Sequence, residues 1–121
     1  MEPLDRVILG KKAEDAAAEY IKEQGYRLRE RNFRCPLGEI DIIAEDQGVL
    51  VFVEVRSRTK ADFGLPEETV NWVKQQKLRR LAAAYLQRTR EWGKECRFDV
   101  IGVLFGEQEQ VERLELIKNA F

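Results

Sequence analysis

Histidine is absent from this 121-residue chain, and its absence excludes several kinds of active site. The chain cannot form a Ser-His-Asp or Cys-His catalytic group, a His-ligated zinc site, or a nuclease site with a histidine base. Cysteine is almost as rare, because only Cys35 and Cys96 occur, and two thiols cannot make a zinc site by themselves. We expect both to be small apolar side chains of a protein in a reducing compartment.

Long apolar runs are also missing. No stretch approaches the roughly 18 consecutive apolar residues that span a bilayer, and Asp5 and Arg6 interrupt the N-terminal segment. We therefore expect a cytoplasmic protein that does not enter a membrane. The length fits one hydrophobic core, so residues 1–121 are expected to form a single domain.

The chain lacks an overall excess of charge, since its net charge is −1 although 36% of its residues are charged. The charges are unevenly distributed, however. Residues 56–90 contain nine lysines and arginines against three acids. Such a segment is typical of a basic surface that contacts nucleic acid. A solvated helix face would explain the same count equally well.

The hydrophobic pattern predicts an α/β protein with the element order αβββαββ, in which helices pack on a mixed β-sheet. The first helix is expected to begin at a cap formed by Asp5 and to end near Gln24; the second is expected from Val70 to Arg90. Five strands are predicted, over residues 26–33, 39–44, 49–55, 97–105 and 111–117. Residues 49–55 are apolar and β-branched almost throughout, which indicates a central strand covered on both faces.

Acidic residues interrupt two of these strands at positions where burial is expected. Strand periodicity places Glu54 on the face of Leu50 and Phe52. In the preceding strand it places Glu39, Asp41 and Ile43 on one face, with the opposite face made by Ile40, Ile42 and Ala44.

The pairing of these two strands decides what the acids face. A symmetric hairpin around Gln47-Gly48 sets Asp41 opposite Glu54, and Glu39 opposite Arg56. Two opposed carboxylates repel each other unless a cation lies between them, and Mg²⁺ or Mn²⁺ is the ion that carboxylate oxygens favour. A register shifted by two residues would instead pair Asp41 with Arg56 or Phe52, and the acids would then be ordinary ion-pair partners.

Two motifs carry a resemblance to a known family. Gly38-Glu39-Ile40-Asp41-Ile42-Ile43-Ala44 and Val51-Phe52-Val53-Glu54-Val55-Arg56-Ser57-Arg58 resemble the YraN-like family of uncharacterised bacterial proteins. The resemblance covers nearly the whole chain and includes Arg31-Asn32-Phe33, Phe63-Gly64, Pro66-Glu67-Glu68 and Arg97-Phe98-Asp99-Val100. It implies a three-layer, restriction-endonuclease-like fold, that of the PD-(D/E)XK superfamily, related to archaeal Holliday-junction resolvases. It also implies a Mg²⁺- or Mn²⁺-dependent endonuclease, a hydrolase acting on DNA, with branched or irregular DNA as a candidate substrate.

The same resemblance assigns roles to individual residues. It implies metal ligands at Glu14, Asp41, Glu54 and the backbone carbonyl of Val55. The implied catalytic group is Glu14, Asp41, Glu54 and Arg56, with Arg56 on the scissile phosphate. A solvent-facing helix acid is the alternative interpretation of Glu14. For Glu39, which also matches a position of the family, pairing with Arg56 and catalysis remain open.

Arg56 departs from the superfamily pattern, which has lysine there. Arginine keeps the positive charge but cannot act as a base, so Lys74 or Lys77 could supply an ammonium group from the second helix; surface solvation is the alternative for both. Nucleic-acid contacts are expected at Arg58, Lys74, Lys77, Arg79 and Arg80, and Arg88 would also fit phosphate.

The departure at Arg56 keeps other functions open. One alternative is a nucleic-acid-binding module that kept the fold and lost catalysis. Another is an adaptor inside a DNA-processing assembly. An exposed apolar edge would allow a homodimer. Trp72 is expected in the core, whereas Trp92 is left undecided between core and surface.

Overall fold

The computed structural model of the protein describes residues 3–59 and 70–121, in which seven elements follow the predicted order αβββαββ. The two helices are α1 (Pro3–Glu23) and α2 (Trp72–Thr89). The strands are β1 (Arg27–Cys35), β2 (Gly38–Asp46), β3 (Val49–Thr59), β4 (Cys96–Phe105) and β5 (Val111–Ile117). The motifs Phe63-Gly64 and Pro66-Glu67-Glu68 lie outside the described residues.

The five strands form one mixed sheet in the order β1-β2-β3-β4-β5. Strands β3 and β4 are parallel, and the other neighbouring pairs are antiparallel. Strand β3 is the central strand of the sheet, as its sequence predicts. Its buried apolar side chains lie on both faces, because each face is covered by a helix. It extends to Thr59, four residues beyond the prediction, because its pairing with β4 continues to Thr59 opposite Phe105.

The sheet separates two hydrophobic clusters and so makes a three-layer fold. On one face, α1 contributes small side chains such as Ala13 and Ala17, which let the helix approach the valines of β3 closely. On the other face, α2 contributes Leu78, Leu81 and Tyr85, which pack around Phe52. Neither helix is long and apolar enough to cross a membrane, as far as the described residues go.

The β2–β3 hairpin has the predicted symmetric register, but the pairing stops before the predicted pairs Asp41–Glu54 and Glu39–Arg56. Its two turn residues, Gln47 and Gly48, have φ angles of +51° and +85°, as the favoured two-residue hairpin turns require. The pairs run from Asp46 opposite Val49 to Ile42 opposite Val53. The alternative register, shifted by two residues, is therefore wrong.

Two predictions about the helices are wrong, and one boundary differs by two residues. Helix α1 begins at Pro3, so Asp5 lies inside its first turn and does not cap it. Helix α2 begins at Trp72, and Asn71 caps it by accepting a hydrogen bond of 2.9 Å from the amide of Lys74. Trp72 is not in the core: it is 70% exposed, and Val73 is 68% exposed.

The helical repeat explains the exposure of Trp72. The buried stripe of α2 contains Leu78, Leu81, Ala82 and Tyr85. At about 100° per residue, positions 72 and 73 are rotated well away from that stripe. Trp92, which the sequence left undecided, is also exposed.

Candidate functional site

The alternation of side chains breaks where β1 and β2 pass Asn32 and Asp41. Ile40 was predicted on the face of Ile42, but Ile40 packs with the α2 cluster while Ile42 packs with the α1 cluster. Strand β1 changes face at the same level. The guanidinium of Arg31 donates to Asp15 of α1 at 2.7 Å, whereas Phe33 packs with the α2 cluster. In both strands, therefore, the side chains exchange faces of the sheet at the same level.

Strand β3 does not take part in this change of face. Its pairing with β2 extends only as far as Ile42 and Val53. Beyond that point, the amide of Val55 donates a hydrogen bond of 2.8 Å to the carboxylate of Asp41. The side chain of Asp41 thus partners a backbone group just past the end of the ladder, and this contact holds the carboxylate beside β3.

Three carboxylates meet at this point. One oxygen from each of Glu14, Glu39 and Asp41 lies within 4.8 Å of the other two. Glu14 comes from α1, where it follows the buried Ala13 and stands 3.8 Å from the Arg31 guanidinium. The interpretation of Glu14 as a solvent-facing acid is wrong, because this side chain is only 20% exposed and faces the two acids of β2.

Glu39 belongs to the cluster although the sequence left its role open. Its ion pair in the structure is with Arg34, at 3.0 Å, on the neighbouring strand β1. Arg56, its predicted partner, lies 3.7 Å from the carboxylate of Glu54. The ion-pair partner of Glu39 is thus Arg34, at the rim of the site.

Glu54 is the buried acid of the site, with only 6% of its surface exposed. It is outside the group of three, and its carboxylate lies 3.7 Å from both the Lys74 ammonium and the Arg56 guanidinium. Lys74 therefore reaches the acids from α2, as one of the two lysines proposed to replace the superfamily lysine. Lys77 lies instead over Gly38, so closely that a Cβ added to this glycine would be 2.9 Å from the Lys77 Cε.

Two acids of the site, Asp41 and Glu54, are hard to ionise. Burial, and then the charge of Glu54, raise the pKa of Asp41 from 3.8 to about 7, although the Val55 amide opposes the shift. The charges of Glu14 and Glu39 add to it. Burial also raises the pKa of Glu54, against the opposing charges of Lys74 and Arg56. Carboxyl groups held in such an environment are typical of functional sites.

The donor set fits a hard divalent cation. All the side-chain donors are carboxylate oxygens, which Mg²⁺ and Mn²⁺ prefer and which soft metals do not require. A cation among Glu14, Glu39 and Asp41 would offset the repulsion that raises the pKa of Asp41. The residues therefore suit such an ion. Of the ligands predicted from the sequence, Glu14 and Asp41 belong to the group, where Glu39 joins them, whereas Glu54 lies outside it.

Two clefts adjoin the acids. A cleft of about 260 Å³ opens between α1 and the ends of β1 and β2. It is lined by Val7, Gly10, Lys11, Glu14, Asn32, Arg34 and Glu39. A second groove of about 240 Å³ lies along the end of β3, and its lining is Val55, Arg56, Ser57 and Arg58. Asp41 connects the two, because it contacts Val55 and belongs to the cluster with Glu14 and Glu39.

The remaining basic residues of α2 lie elsewhere on that helix. The Cζ atom of Arg79 lies 5.1 Å from the ring centroid of Phe98 and 5.6 Å from that of Phe121. The Cζ atom of Arg88 lies 5.0 Å from the ring centroid of Phe33. Arg80 is exposed. Arg79 and Arg88 thus cover aromatic side chains, a packing role that the sequence did not indicate.

Comparison with known proteins assigns the family. The profile of the uncharacterised protein family UPF0102 matches residues 13–103, which include Glu14, Asp41 and Glu54. The chain belongs to this family. A UPF0102 protein of Desulforamulus reducens is 52% identical over 119 residues, covering 97% of this chain and 98% of the relative. A UPF0102 protein of Moorella thermoacetica is 50% identical over 112 residues, covering 93% of each chain. The YraN-like resemblance is thereby confirmed, since UPF0102 is that family.

Sequence reasoning missed two residues of this UPF0102 chain, one beside the acids and one in β4. Asn32 has a φ of +55° inside a strand, and asparagine is both a poor strand residue and one that tolerates this conformation. Asp99 is fully buried in β4. The signal for Asp99 was the same as for Glu54, an acid inside an apolar strand.

Proposed function

We propose that this protein is a metal-dependent nuclease-like protein acting on DNA, with Glu14, Glu39 and Asp41 as ligands of Mg²⁺ or Mn²⁺. The observation that carries the proposal is the convergence of these three carboxylates within 4.8 Å, next to the buried Glu54. Such an ion, when bound, activates water and offsets charge on a phosphodiester. Phosphodiester hydrolysis, with branched or irregular DNA as candidate substrate, is the reaction that this arrangement supports best.

The cations of the site suit a phosphate group. Arg56 and Arg58 line the groove at the end of β3, and a guanidinium can contact two phosphate oxygens at once. Lys74 lies 3.7 Å from Glu54 and is 33% exposed, so its ammonium group is accessible from solvent beside the buried acid. Lys74 is therefore the better candidate for the role of the lysine that Arg56 replaces in the sequence motif.

Titration of Mn²⁺ into the protein, followed by calorimetry, tests the metal site. We expect the parent to bind Mn²⁺ and Asp41→Asn to bind it at least about tenfold more weakly, because one carboxylate ligand is lost. Asp15→Asn is the matched control, since Asp15 is the next acid of α1 but pairs with Arg31 outside the cluster. Equal affinity of parent and Asp41→Asn would contradict the assignment.

Cleavage of labelled DNA tests the role of Lys74. We expect Lys74→Met to slow cleavage about 100-fold or more, because an ammonium group that offsets developing charge contributes about 3 kcal/mol to such reactions. Its Mn²⁺ affinity should stay near that of the parent. Lys77→Met is the control, because Lys77 lies over Gly38 and forms no ion pair with the acids of the described residues. A Lys77→Met effect as large as that of Lys74→Met would refute the specific role.

A nucleic-acid-binding module without catalysis is the second candidate. The observation that favours it is Arg56, which cannot act as a base and lies 3.7 Å from Glu54. Such a module would bind DNA with an affinity that falls steeply with salt and does not depend on Mn²⁺. Unchanged DNA binding in Asp41→Asn, together with no cleavage by the parent, would decide for this candidate.

A further inference from the structure

We infer that Asn32 is a positioning residue, whose left-handed backbone turns Glu39 towards Glu14 and Asp41; this inference rests on the metal site proposed above. Asn32 has a φ of +55° in the middle of β1. It falls between the pairs Arg31–Ile42 and Phe33–Ile40, and so lies opposite Asp41. The unusual backbone and the central acid of the cluster are thus at the same level of the sheet.

The change of face follows from this backbone conformation. In a regular strand, residues two apart point to the same side of the sheet. Here Arg31 contacts α1 and Phe33 packs with the α2 cluster. Their paired residues, Ile42 and Ile40, differ in the same way. A left-handed residue reverses the side on which the following side chains emerge, and the paired strand follows because the pairing on both sides is kept.

Glu39 reaches the cluster only because of this reversal. Regular alternation from Ile42 would place Glu39 on the α2 side of the sheet, away from Glu14. In the structure Glu39 lines the same cleft as Glu14 and its carboxylate oxygen lies within 4.8 Å of the oxygens of Glu14 and Asp41. The position of Glu39 is thus a consequence of the conformation at residue 32.

Asparagine suits this conformation better than most residues. Left-handed φ values are rare outside glycine, and asparagine is among the few other residues that adopt them readily. Asn32 is exposed and does not fill the core. Packing therefore does not explain its presence in the strand, whereas the backbone conformation does.

Four variants separate the backbone role from strain and from the side chain. We expect Asn32→Ala to bind Mn²⁺ about 10- to 100-fold more weakly than the parent, as is typical when a residue that orients metal ligands is lost. Asn32→Gly should bind it within about twofold, because glycine adopts positive φ freely. Gln47→Ala is the matched control for strain, since Gln47 has a φ of +51° in the β2–β3 turn. Asn32→Ser replaces Asn32→Ala if the latter does not fold.

A second readout needs no metal. Thermal unfolding of Glu39→Gln, Asp41→Asn and the double variant, in a chelator at pH 8, measures the coupling between the two acids. We expect repulsive coupling in the parent background and none in the Asn32→Ala background. If the parent binds no Mn²⁺, the proposed function fails, and this cycle alone decides on Asn32.

The inference is overturned by any of three results. One is no coupling between Glu39 and Asp41 in the parent background. Another is the same coupling with and without Asn32. The third is an Asn32→Gly protein that binds Mn²⁺ as weakly as Asn32→Ala, because the amide side chain and not the backbone would then be responsible.

Discussion

Asp99→Ala is expected to lower the free energy of unfolding by about 3–5 kcal/mol, the range found when one partner of a buried ion pair is removed. Asp99 is fully buried and accepts hydrogen bonds from three groups. These are the Arg97 guanidinium at 2.9 Å, the Tyr26 hydroxyl at 2.8 Å and the backbone amide of Asn119 at 3.0 Å.

The size of the effect follows from what alanine leaves behind. The guanidinium of Arg97 is held by Asp99 and by Asp46, and only 19% of its side chain is exposed. Without Asp99 it keeps one of its two carboxylate partners. The Tyr26 hydroxyl loses its acceptor, and the C-terminal segment loses the bond at Asn119. Each unsatisfied buried group costs about 1–3 kcal/mol.

Urea denaturation of Asp99→Ala and the parent measures this difference. Glu107→Ala serves as the control, because Glu107 is an exposed acid of the turn before β5. Its effect should stay within about 0.5 kcal/mol. A loss below about 1 kcal/mol for Asp99→Ala would show that the network is not a major source of stability.

Asp41→Asn is expected to stabilise the metal-free protein at pH 8 by about 1–3 kcal/mol, and much less at pH 4. The pKa of Asp41 is raised in the folded protein from 3.8 to about 7 by burial and by the neighbouring acids. A raised pKa means that the folded state holds the proton more tightly than the unfolded state. The associated stability is therefore present below pH 3.8 and is lost as the pH rises through about 7.

Asparagine removes this penalty because it carries no charge and can still accept the hydrogen bond from the Val55 amide. The full pKa shift of Asp41 would correspond to about 4 kcal/mol. The expected gain is smaller, because the repulsion that raises this pKa is shared with Glu14, Glu39 and Glu54. Thermal unfolding in a chelator at pH 4 and pH 8 measures the effect.

Asp15→Asn provides a contrast of opposite sign. The hydrogen bond from Arg31 lowers the pKa of Asp15, so its ionised form favours the folded state and the variant should lose stability at pH 8. Excess Mn²⁺ should stabilise the parent, by about 2.7 kcal/mol at 100 times its dissociation constant, and should have little effect on Asp41→Asn. Destabilisation of the chelated protein by Asp41→Asn at pH 8 would contradict this account.

The sequence by itself determined the element order and the central position of β3, and it predicted the register of the β2–β3 hairpin while leaving a shift of two residues open. These features depend on local periodicity and on the turn at Gln47-Gly48, which are both visible in the residue pattern. Asp41 and Glu54 stood out for the same reason, as acids inside apolar strands. Membership of the UPF0102 family likewise agrees with the motifs read from the chain.

Only the tertiary structure decided which side chains meet. Regular alternation placed Ile40 and Glu39 on the wrong faces, because one left-handed residue, Asn32, reverses the two strands. The expectation that Trp72 is buried was wrong because it depended on apolar character and not on the rotation of α2 about its axis. Two partners of Asp99, Tyr26 and Asn119, come from the residue before β1 and from the C-terminal segment, and no local pattern specifies contacts between residues so far apart in the chain.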